Sequence, residues 1–265
     1  PPRSTLFPYA TLFRSRTGAF QIAGSQPETL AAAVTRGADQ LRAIAAPMNR
    51  ADWCLNVQKD ITKITDLKGK VIGVSTLRSS EVWLTNVLLE KGGLKKGEVD
   101  YLVVGTSAQK LAAMQKGSIA GSILFQPTAE LAIRTGFPAL ARYGDLRLYP
   151  AILYVVDKNW AAKNEAGKRA AGAILKAHRW LWDPANKAEA VAILVKISKR
   201  EPPVVETIYD NYFVTDKVYS PTGAVETDGL AKALADMAED GDIIKAPAPP
   251  PTRFLLDHEL GGMWN

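Results

Sequence analysis

Small polar side chains collect where apolar runs give way to helical patterns. Three such places stand out: Gly24-Ser25-Gln26-Pro27-Glu28, Gly73-Val74-Ser75-Thr76-Leu77-Arg78-Ser79-Ser80 and Leu124-Phe125-Gln126-Pro127-Thr128. A helix opening directly after a strand aims backbone N–H groups and short polar side chains at one point, and its dipole favours negative charge there. The chemistry expected is capture of a small, anionic or polar ligand. The candidate contacts are Ser25, Gln26, Ser75, Thr76, Ser79, Ser80 and Gln126. Arg78 either grips an anion through two parallel hydrogen bonds or fills the space a larger ligand would use. Ordinary N-capping would employ the same hydroxyls.

Nothing in the chain competes as a catalytic constellation. Cys54 is the only cysteine, which excludes an internal disulfide and a cysteine-based metal cluster. His178 falls on the apolar face of Ile174, Leu175, Leu181 and Trp182 and is expected to be a packed, satisfied core histidine. His258, in Asp257-His258-Glu259, has no second histidine or cysteine near it to complete a metal site. There is no GxSxG elbow. No catalytic residue, no cofactor and no metal are expected. Trp53, Tyr154 and Trp160 suit core packing better than the walls of a pocket.

Hydrophobic residues make up 47% of the chain and charged residues 23%, enough to bury a core. No apolar run approaches the roughly 18 residues of a membrane span. The first fifteen residues, PPRSTLFPYATLFRS, resemble the translation of a widely used sequencing adapter, differing only at Ala10. Residues 1–15 are therefore expected to be an artefact. Removing its two arginines, Arg3 and Arg14, from the formal +6 leaves +4 on the rest. That surplus is spread thinly, which speaks against a nucleic-acid partner.

The elements that must hold the three turns alternate. Strands are expected at 21–23, 41–46, 53–57, 71–74, 99–104 and 122–125. Between them lie helices over 27–36, from Ser79 or Ser80 to Gly92, around Leu111 and Met114, and over 127–135. The helix after Ser80 is expected to bury Trp83, Leu84, Val87 and Leu88. Beyond it come strands at 146–149 and 151–156, then helices over 165–182, from Pro184, over 203–212 and over 222–239. The proline-rich run 246–251 reads as an extended surface strap. Strand, Gln-Pro, helix and a stopping glycine occur twice, at 22–37 and 122–136, hinting at two similar halves.

The segment Asp66-Leu67-Lys68-Gly69-Lys70-Val71-Ile72-Gly73-Val74 carries a resemblance when taken with Ser79-Ser80, Gly92-Gly93-Leu94, Ala112-Ala113-Met114, Lys116-Gly117, Gln126-Pro127 and Trp182-Asp183-Pro184. Across residues 20–240 the chain resembles substrate-binding proteins of bacterial ABC importers, of the nitrate, taurine and alkanesulfonate branch that shares its fold with thiamine-precursor binders. The resemblance implies an α/β fold like type 2 periplasmic binding proteins: two Rossmann-like lobes and a hinge, with the N-terminal part of lobe one missing. Lobe one would comprise 16–65 and 151–265, lobe two 66–150. It implies a small-molecule solute (sulfonate, nitrate, carboxylate or pyrimidine-like), a membrane permease as partner, a monomer, no enzymatic activity, and a periplasmic or lipid-anchored location.

Two other readings share the architecture. Thiamine-pyrimidine synthases are enzymes with a cysteine-rich iron site, and one cysteine argues against them. Effector domains of LysR-type regulators would follow an upstream helix-turn-helix, but the long helical stretch 165–239 fits the importer family better.

Overall fold

The structure is a computed structural model that describes residues 21–256, apart from residues 78, 147, 164 and 242. Arg78, His258 and the expected artefact at residues 1–15 lie outside the described residues. The chain divides into two units, one built from residues up to Ala51 and from Leu148 onward, the other from Asp52–Arg147.

The first unit begins with β1 (Ile22–Ser25), α1 (Pro27–Thr35) and β2 (Leu41–Met48). Proline at the first helical position presets α1, and Gly37, with φ +97°, turns the chain out of it. Leu30, Ala31, Ala32, Ala33 and Val34 are all buried, so this short helix is core on every side.

The second unit runs β3 (Cys54–Val57), β4 (Val71–Val74), α2 (Ser80–Lys91), β5 (Asp100–Val103), α3 (Ser107–Gln115), β6 (Gly121–Leu124), α4 (Thr128–Arg134), β7 (Ala139–Arg142) and α5 (Tyr143–Leu146). Its sheet has the order β5-β4-β6-β3-β7. β4 is parallel to β5 and β6, joined to them through helices, while β3 is antiparallel to both β6 and β7. Its core joins Cys54, Leu111, Met114, Ile119 and Leu124.

The chain then returns to the first unit with β8 (Ile152–Asp157), which lies between β1 and β2 and is antiparallel to each. α6 (Lys158–Lys163), α7 (Glu165–Trp182), α8 (Lys187–Ser198), α9 (Pro202–Asp210) and α10 (Thr227–Asp240) follow. The strap ends in a turn over Pro251–Phe254. Phe254 is buried, and the Leu256 N–H donates to the Ala43 carbonyl at 3.0 Å, which pins the strap against β2.

Several expectations need correction. The first crossing was expected near residue 65, which would leave 53–57 in lobe one. Instead β3 is hydrogen-bonded on both edges within the second sheet, so the division falls at Asp52. In place of the strand expected at 146–149, the helical turn α5 ends at Leu146 and neither Leu148 nor Tyr149 is in a strand, while β7, unforeseen, covers the far edge of β3. α10 starts at Thr227 rather than 222, because Asn49 holds the preceding loop: its Nδ2 donates to the Ala224 carbonyl at 2.8 Å and its Oδ1 accepts the Glu226 N–H at 3.3 Å. The repeated Gln-Pro pattern is local only, since β1 lies at the edge of its sheet and β6 lies in the middle of its own.

Candidate functional site

In the first unit, β1 delivers Ser25 and Gln26 to the start of α1. Ser25 is buried, and its Oγ donates to the Gln26 carbonyl at 3.1 Å. Gln26 is the N-cap of α1 without a side-chain capping bond, so its amide is not consumed by the helix. Two residues further, in the first turn, buried Glu28 places a carboxylate near the helix N-terminus, where the dipole favours it. It accepts a hydrogen bond from the Tyr149 hydroxyl at 2.7 Å.

In the second unit, the segment after β4 carries the largest set of candidates. Ser79 is the N-cap of α2 and its Oγ donates to the Thr76 carbonyl at 3.0 Å. Thr76 and Ser79 are half-buried, while Ser80 is fully buried in the first turn. Ser75 is committed elsewhere. Its N–H donates to Glu81 Oε2 at 2.8 Å and its Oγ donates to Glu81 Oε1 at 2.7 Å. The two donors expected to receive a ligand anion therefore already hold an internal carboxylate. Gln126, half-buried after β6, accepts the Glu130 N–H through Oε1 at 3.3 Å and so helps to open α4.

Sequence reasoning missed the centre of this arrangement. Lys110 Nζ lies 3.2 and 3.3 Å from the two Glu81 carboxylate oxygens and 3.2 Å from Ser75 Oγ. The Lys110 side chain is 0% exposed and that of Glu81 5%. Burial pushes the Lys110 ammonium below its ordinary range, and the Glu81 carboxylate pulls it back up. The ammonium also sits 5.3 Å from the centre of the Phe125 ring, a cation–π contact. Phe125 meets Trp53 edge-on at 5.0 Å, and Trp53 meets Tyr143 at 6.0 Å. The Tyr143 hydroxyl bonds to Thr85 Oγ1, which donates to the Glu81 carbonyl. Burial pushes the Tyr143 hydroxyl far up, which keeps it neutral.

This network explains why the buried face of α2 differs from the expected one. Leu84 is buried as foreseen, but Glu81, Thr85 and Leu89 are buried with it, while Trp83, Val87 and Leu88 are only half-buried. Hydrophobic periodicity cannot find a face whose buried members include Glu81 and Thr85. Two signals were available. Lys110 falls beside Leu111 and one turn from Met114, on an otherwise apolar stripe. Thr106 and Gln109 form a capping box that fixes the start of α3 and hence where Lys110 points.

The aromatic candidates and His178 sit in cores. Trp53 is buried, and Tyr154 and Trp160 pack against Ile44 and Val156. His178 is buried with its ring 5.3 Å from Tyr219, yet its Nδ1 has no hydrogen-bond partner among the described residues. It is packed as expected, but not satisfied. Among the described residues, no helix is long and apolar enough to cross a membrane.

Comparison with known proteins adds to this geometry. A profile of the NMT1-like family matches residues 25–195. Curated protein sequences yielded no match. Among solved structures, the periplasmic aliphatic sulphonate-binding protein of Escherichia coli superposes with a TM-score of 0.76 at 20% identity, covering 94% of this chain and 84% of that one. The alkanesulfonate-binding protein of Xanthomonas axonopodis, solved with MOPS, gives 0.70 at 21% identity over 92% and 83%. The periplasmic nitrate-binding protein of Synechocystis gives 0.70 at 15% identity over 91% and 72%. These likenesses establish the periplasmic binding protein fold.

Proposed function

The chain belongs to the NMT1-like family, and from that premise we propose that it is the solute-binding component of an ABC importer, without catalytic activity. It captures a small solute outside the inner membrane and hands it to a permease. The observation that carries this reading is the family match together with a fold shared, over more than nine-tenths of the chain, with receptors for sulphonates and nitrate. The solute is a small anionic or strongly polar compound: a sulfonate, nitrate, a carboxylate or a pyrimidine-like molecule. Ser25 and Gln26 on the first unit, and Thr76, Ser79, Ser80 and Gln126 on the second, are each proposed as solute contacts, because each stands where a strand ends and a helix begins. Arg78 belongs to the same stretch of sequence and is proposed as a determinant of ligand preference.

The test is a thermal-shift panel of small anions and neutral heterocycles, followed by calorimetry on each hit. One-to-one binding is expected. Ser25→Phe and Ser79→Phe should each weaken that binding at least about tenfold while the fold survives. Unchanged affinity in both variants would remove the site assignment, and a panel without any binder would count against the receptor reading.

A further inference from the structure

The buried contacts of the second unit close on themselves. Glu81 leads through Thr85 to Tyr143, then through Trp53 and Phe125 to Lys110 and back to Glu81. Ser75 is bound into this ring by its N–H and by its hydroxyl, which donates to Glu81 and accepts from Lys110. The three ammonium protons of Lys110 match three acceptors: Ser75 Oγ, Glu81 Oε1 and Glu81 Oε2. The ring thus ties the segment after β4, which holds Ser75, Thr76, Ser79 and Ser80, to the segment after β6, which holds Phe125 and Gln126. A second tie is the Phe125 N–H, which donates to Ser107 Oγ at 3.3 Å, three residues before Lys110 on α3.

We propose that Glu81 and Lys110 are positioning residues that hold the 75–80 and 125–127 segments as one rigid platform, with Ser75 as the link to the platform and not a contact to the solute. This proposal rests on the solute-binding reading. The pair sets affinity without touching the ligand. Its buried ammonium has no solvent to fall back on, so removing either charge must rearrange both segments together. An ordinary stabilising ion pair would behave differently. Replacing both partners by apolar groups would restore stability and the loops at once.

That difference supplies the test, made on the whole chain with Lys110→Met, the double variant Glu81→Leu/Lys110→Met, and Lys187→Met, which removes a half-exposed pair with Asp210, as a control. Melting temperature, residue-resolved amide exchange, and binding of nitrate and butane-1-sulfonate are measured. In Lys110→Met, amides of residues 75–83 and 125–131 should lose protection together, by about a hundredfold. In the double variant the melting temperature should recover. Exchange in both segments should nevertheless stay about tenfold faster than in the parent, and affinity for whichever probe the parent binds should stay about tenfold weaker. The control should alter neither segment. If the double variant regains loop protection along with its melting temperature, or if the two segments respond independently, the proposal fails. If the parent binds neither probe, that counts against the anion-receptor reading, while the exchange pattern still decides the platform.

Discussion

Removing the Lys110 ammonium while keeping its bulk, as in Lys110→Met, strands the Glu81 carboxylate in a site where its side chain is 5% exposed. The carboxylate loses two charge-assisted contacts, at 3.2 and 3.3 Å, and keeps the two from Ser75. Each such bond contributes about 1.5–3 kcal/mol, and breaking a buried pair from one side costs about 3–5 kcal/mol. The two routes agree, so a loss of about 3–5 kcal/mol is expected. For a chain of this size that corresponds to a fall in melting temperature of about 6–20 °C. Urea denaturation followed by circular dichroism measures the loss. Glu81→Leu/Lys110→Met removes both charges and should recover most of it. A loss below about 1 kcal/mol in Lys110→Met is what an exposed pair would give. That outcome would mean that water reaches the pair, and the reasoning from burial would be wrong.

Burial holds His178 below its ordinary 6.5, so between its folded value and 6.5 the unfolded chain binds the extra proton. Its contribution is complete above 6.5 and is lost as the pH falls through the folded value; a pH series of melting temperatures on His178→Phe should show a flatter acid limb than the parent. At Gly92, an added Cβ would lie 2.4 Å from Ile64 Cγ2, so Gly92→Ala should destabilise by about 1–3 kcal/mol, whereas Gly24, where a Cβ meets nothing within 4 Å, should accept alanine without loss in the same denaturation assay. Phe254→Ala empties a buried aromatic site beneath the strap. It should cost about 3–5 kcal/mol and expose the 246–256 region to proteolysis, read by limited digestion against the parent.

The fold was legible wherever residue type and period agreed. α7 runs from Glu165 to Trp182 as expected, with Leu175 and His178 buried on one face. Strands 22–25, 71–74 and 121–124 and the helices after them follow from apolar runs punctuated by Pro27, Gly37, Gly92 and Gly117. Local propensity and pattern suffice there, because both act within a few residues along the chain. The same local chemistry marked Ser25, Ser79 and Gln126 as residues at helix openings.

What only the tertiary structure decided depends on residues far apart in sequence. β3 could not be assigned to a unit from its own four residues, because its partners, β6 and β7, lie more than sixty positions away. Ser75 could not be recognised as already bonded, because its acceptor is a glutamate that becomes tolerable in the interior only when a lysine 29 residues further on neutralises it. A charged residue in isolation reads as surface, since burying one alone is prohibitive. Pairing removes that penalty, and the pairing exists only once α2 and α3 have packed beside the second sheet.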